Sequence, residues 1–65
     1  MKGTVLWFDN DKGEGEVFYL DTSFYFHYSA IESNDIWKKL EKNDIVEFRL
    51  YENLYMRQVE WIKKI

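Results

Sequence analysis

Residues 12 to 31, KGEGEVFYLDTSFYFHYSAI, read as two β-strands and the turn between them. Apolar and polar residues alternate along 12 to 20 (KGEGEVFYL), the period at which successive side chains take opposite faces of a sheet. Asp21-Thr22-Ser23 supplies turn chemistry. In the strand that follows, 24 to 28 (FYFHY), Phe24, Phe26 and Tyr28 fall on one face and Tyr25 and His27 on the other. By the same spacing Lys12, Glu14 and Glu16 share a face. Pairing the two strands sets those carboxylates beside Tyr25 and His27.

Working outward, residues 2 to 8 (KGTVLWF) are β-branched and aromatic and are followed by the turn residues Asp9-Asn10-Asp11, so the first three strands form a meander. Downstream, 45 to 51 (IVEFRLY) alternates again, with Val46, Phe48 and Leu50 inward and Glu47 and Arg49 outward. A last strand is expected at 57 to 62 (RQVEWI), with Val59 and Trp61 on one face. Between them, Ser33 or Asn34 can cap a short helical turn over residues 34 to 41, where Ile36 and Leu40 sit one turn apart. Leu54 to Met56 would form an apolar contact patch in the last loop if they point outward. Five short antiparallel strands with a long third connection suit a small barrel, which leaves few exposed edges. Phe8, Phe24, Phe26, Phe48 and Trp61 are the expected aromatic core.

The 65 residues read as one domain, 1 to 65, and a chain this short buries only about 60% of the surface its unfolded form exposes. With no cysteine and one histidine, neither a disulfide nor a structural zinc site can staple it. The core must come from packing, and the 20% aromatic content is the means. No apolar run exceeds four residues, so a membrane span and a signal peptide are excluded and the chain reads as soluble and cytoplasmic. Net charge is −3, but residues 1 to 37 carry two lysines against seven acids, while 38 to 65 carry seven basic residues against five acids. Composition therefore argues against a nonspecific nucleic-acid binder, whose affinity comes mostly from phosphate neutralisation.

The motifs argue the other way. GTVLWF (Gly3 to Phe8), KGEGEV (Lys12 to Val17) and FYFHYSAI (Phe24 to Ile31) together resemble a cold shock domain, whose two ribonucleoprotein motifs read approximately KGFGFI and VFVHF at the last two places. VEFRL and QVEWI fit that family's final strands less specifically. The resemblance implies a five-stranded OB-fold barrel that binds single-stranded RNA or DNA by stacking bases on surface aromatics. Trp7, Tyr25, His27, Tyr28 and Trp37 match its stacking positions and Lys12 a basic neighbour, with Lys38 and Lys39 near phosphates. For Trp7 the two readings differ, since simple alternation turns it inward with Val5 and only the resemblance puts its ring outside.

The departures lie in the middle of that face. Glu14 and Glu16 replace the two phenylalanines of the first motif, and at about 1–3 kcal/mol per stacked base their loss weakens binding substantially. The carboxylates have three readings: a solvated outer face, base-edge readout by accepting from amino groups of cytosine or guanine, or contact with a basic protein partner. His27 is placed to pair with either glutamate. The competing function is thus a protein-interaction module on the same scaffold.

Catalytic and metal readings fail on chemistry. Ser23 and Ser29 flank the single histidine with no glycine-rich nucleophile elbow. Asp9-x-Asp11 begins like a calcium loop, but the bidentate position falls on Leu20. Gly13-x-Gly15 is half a dinucleotide fingerprint inside a strand, where it serves close backbone packing instead. The sequence therefore reads as a non-enzyme with no cofactor and no metal.

Overall fold

In the computed structural model, which describes residues 1–52 and 57–65, five strands form one antiparallel sheet in the order β3-β2-β1-β4-β5. They are β1 (Lys2–Asp9), β2 (Glu14–Tyr19), β3 (Thr22–His27), β4 (Ile45–Leu50) and β5 (Val59–Lys64). The sheet curls until its ends meet, with parallel bridges from Tyr25 to Gln58 and from Ile31 to Ile62. This is the OB-type barrel expected. The contact patch expected at Leu54 to Met56 lies outside the described residues.

Local chemistry explains the connections. Between β1 and β2, Asp9 Oδ1 accepts from the backbone N–H groups of Asp11 (2.9 Å) and Lys12 (3.1 Å), and Gly13 closes the turn at a φ of 67°. Lys12 and Gly13 therefore belong to the turn rather than to the strand expected from residue 12. The β2–β3 turn also differs: Leu20 and Asp21 occupy it, with φ of 48° and 60°, and Tyr19 pairs with Thr22. Two consecutive left-handed residues match the twist of a tight hairpin. Thr22 and Ser23, expected in the turn, become the start of β3. Leucine carries no turn signal, so the sequence pattern began this turn one residue late, at Asp21.

The core comprises Val5, Val17, Phe26, Ile31, Leu40, Val46, Phe48, Val59 and Ile62, with Phe8, Tyr19, Phe24, Ala30 and Leu50 packed against it. Phe8 stacks on Phe26 with centroids 5.7 Å apart, and Tyr19 meets the Phe48 ring edge-on at 5.4 Å. Four of the five expected core aromatics are here. Trp61 is the correction: the register slips between Arg49 and Leu50, so β5 carries an extra residue, Glu60. Such a bulge reverses the inside–outside phase. Val59 and Ile62 point inward as a result, and Trp61 turns out.

The helical turn between β3 and β4 is a 3₁₀ turn at Tyr28–Ala30. It does not lie at residues 34 to 41, which carry no helix. A short helix needs a buried apolar stripe, and here Leu40 enters the core while Ile36 is 92% exposed. Ser33 Oγ instead accepts from the N–H of Asp35 at 3.1 Å, a local bond that competes with helix formation.

Candidate nucleic-acid interface

The outer face of β1–β3 is set by a second bulge. Val5 pairs with Val17 and Trp7 with Glu16, so Leu6 is the extra residue in β1. Past it the phase inverts: Phe8 packs inward and Trp7 faces out, 39% exposed. Simple alternation, which turned Trp7 inward, fails here for that reason. Glu16 then lies between Trp7 on one side and Tyr25 on the other, and Glu14 lies opposite His27.

Each carboxylate has taken neutral donors. Glu16 Oε1 accepts from the indole N–H of Trp7 at 2.8 Å, and its Oε2 accepts from the Ser23 hydroxyl at 3.0 Å. Glu14 Oε2 accepts from the Tyr25 hydroxyl at 3.1 Å. Partial burial, together with that bond and the charge of Glu14, pushes the Tyr25 phenol above its ordinary value. His27 pairs with neither glutamate, contrary to expectation. Its Nδ1 meets the Ser29 hydroxyl at 2.9 Å and accepts the Ser29 N–H at 3.3 Å, where the imidazole caps the 3₁₀ turn.

Tyr28 continues this surface. It leaves the inward phase of Phe24 and Phe26 because the chain turns at residue 28, and it is 48% exposed, its ring 4.5 Å from that of His27. Gly13 makes room for it, since a Cβ there would lie 2.6 Å from Tyr28 Cδ1. Beside Tyr28 opens a groove lined by Phe8, Lys12, Ile36, Trp37 and Lys38. Trp37 is 81% exposed at its rim, and Lys39 lines the neighbouring cleft with Asn34 and Asp35. The five stacking positions and Lys12 thus fall into two groups: Trp7, Tyr25 and His27 on the sheet, and Lys12, Tyr28 and Trp37 around the groove. The His27–Tyr28 ring contact joins them.

Three neighbours were missed. Ser23 and Ser29 orient Glu16 and His27, and a serine in a strand or turn gives no sign of which side chain it will meet. Phe18 could have been found: it follows Glu14 and Glu16 at the same period, pairs with Ser23 across the strands, and is 41% exposed. Among the described residues, no group of three or more His, Asp or Glu side chains gathers to hold a metal ion.

The family profile described as 'Cold-shock' DNA-binding domain matches residues 1–64. The chain belongs to the cold-shock domain family. It is 46% identical over 48 residues to the major cold shock protein of Micrococcus luteus, covering 71% of this chain and 70% of that protein. A cold shock-like protein of Thermotoga maritima is 35% identical over 66 aligned positions, covering all of this chain and 98% of that protein. The cold shock-like protein CspI of Escherichia coli is 46% identical over 50 residues, 74% of this chain and 70% of its own length. The family is one of nucleic-acid binding.

Proposed function

We propose that this cold-shock domain binds single-stranded RNA or DNA on the outer face of β1–β3, stacking bases on Trp7, Tyr25, His27, Tyr28 and Trp37. The observation that carries the reading is that Trp7 and Tyr28 stand exposed on one side of the barrel, with the His27 ring against Tyr28 and a groove lined by Lys12 and Lys38 beside them. Stacking needs a ring whose face is open, and every base has a face to offer, so such a surface tolerates sequence variation. Lys12, Lys38 and Lys39 meet the phosphates. Glu14 and Glu16 take the place of further rings and lower the affinity.

The test is quenching of tryptophan fluorescence when an oligopyrimidine strand is added at low salt. Few cations border the site, so log affinity should fall with log salt at about −0.7 per phosphate contact and through only one to three such contacts. A slope steeper than about −4 would place the interface on another, more basic surface. Absence of binding would overturn the reading. The acidic pair supports one other role, docking of a basic protein segment against an aromatic-rimmed face, which complementary charge favours. That role takes first place if no strand binds.

A further inference from the structure

The two carboxylates on the binding face are not equivalent. Glu16 uses both oxygens, one on the Trp7 indole N–H at 2.8 Å and the other on the Ser23 hydroxyl at 3.0 Å. Its charge is spent on holding a ring in place. Glu14 uses one oxygen, on the Tyr25 hydroxyl at 3.1 Å, and among the described residues its Oε1 accepts no hydrogen bond. That bond fixes the carboxylate on a face between the outward rings of Tyr25 and His27, its cross-strand neighbour. No hydrogen bond joins His27 to that carboxylate, and its Nδ1 is engaged by Ser29.

We propose that Glu14 is a specificity-determining residue, whose unpaired carboxylate oxygen selects guanine over thymine or uracil in the strand stacked on this face. The proposal rests on the single-strand binding reading and extends it to base choice. The chemistry follows from the base edges, which a single strand leaves open. A carboxylate only accepts hydrogen bonds. Guanine presents adjacent donors, N1–H and the N2 amino group. Thymine and uracil present one N–H between carbonyl oxygens that repel an anion. Cytosine and adenine each offer an amino group next to a ring nitrogen that is itself an acceptor. A charged acceptor strengthens the bond to a matching donor and penalises an opposed acceptor. Glu16, with both oxygens satisfied, is a positioning residue for Trp7 and contributes no base preference.

The experiment compares a short oligothymidylate with the same strand carrying one central guanine, titrated into the parent protein and into Glu14→Gln and Glu16→Gln. The parent should bind the guanine strand roughly tenfold more tightly. Glu14→Gln keeps an amide oxygen for Tyr25 but removes the charge and adds a donor, so it should close most of that gap. Its affinity for oligothymidylate should rise, because the charge opposed to the thymine carbonyl oxygens is gone, and a thermal midpoint near the parent's reports that the fold is intact. Glu16→Gln should shift both strands by one common factor and leave their ratio alone. A strand with inosine at the central position, lacking the N2 amino group, should fall between the two. A parent ratio near one, or a ratio that survives Glu14→Gln, overturns the proposal while single-strand binding itself stands. Failure of both strands to bind overturns the binding reading and the proposal together.

Discussion

Trp7 and Trp61 stand outward on opposite halves of one curled sheet, and each gives its indole N–H to a glutamate, Glu16 at 2.8 Å and Glu32 at 3.3 Å. The resemblance ends at the ring face. Across the strands from Trp61 is Arg49, whose guanidinium lies 5.0 Å from the ring centroid, and Lys63 pairs with Glu32 at 3.2 Å. Across from Trp7 is Glu16 itself, and among the described residues no cation covers the ring. One aromatic is capped and its carboxylate neutralised; the other has an anchored edge and an open face. Availability for stacking therefore depends less on the exposure of an aromatic than on what its cross-strand partner does. The difference also separates roles, since the Arg49–Trp61–Glu32–Lys63 cluster ties the segment after the 3₁₀ turn to β5, where the Glu32 N–H donates to the Ile62 carbonyl at 2.8 Å.

The sharpest way to break this comparison is to restore rings where the open face has carboxylates. Glu14→Phe with Glu16→Phe should tighten single-strand binding by about 1–3 kcal/mol per recovered stack, read by fluorescence titration. Tyr25→Ala in that background should undo much of the gain. Unchanged affinity would put both glutamates outside the interface, and binding confined to the double variant would favour a protein partner for the parent.

A smaller effect is expected on the capped side. Arg49→Ala uncovers Trp61 and should lower stability by about 0.5–1 kcal/mol, seen as a reduced urea midpoint, with strand affinity unaltered. A clear loss of affinity would bring the β4–β5 face into the interface and erase the distinction.

The smallest effects are in pH, and the two faces respond at opposite ends of the scale. Hydrogen bonds from Trp61 and Lys63 hold Glu32 below its ordinary value of 4.5. A depressed carboxyl stabilises the fold above that ordinary value, and the contribution is lost as pH falls through the lower folded value. Tyr25 is raised above 10.0 by desolvation and by Glu14, which favours the protonated phenol. Its contribution is present below pH 10.0 and disappears as pH rises through the higher folded value. Thermal midpoints against pH should show Glu32→Gln flattening the acid limb and Tyr25→Phe the alkaline one. Both groups lie at the surface, so salt should shrink the difference.

Much of this protein was legible along the chain. Alternation with turn residues marked all five strands, put Val46, Phe48 and Phe26 inside, and set Glu14 and Glu16 beside Tyr25 and His27, because those segments keep an unbroken period of two. The motifs pointed to the family for the same reason, being local. What only the tertiary structure decided lies where that period breaks. The extra residues Leu6 and Glu60 turn Trp7 and Trp61 outward, and a bulge is a mismatch in length between paired strands, which no single stretch of sequence contains. Residues 34 to 41 had a cap and apolar spacing suited to a helix, yet Leu40 alone found a place in the core, and burial rather than propensity set the outcome. The distinction between an occupied Glu16 and a half-occupied Glu14 arises likewise from which side chains the folded sheet brings within 3.1 Å.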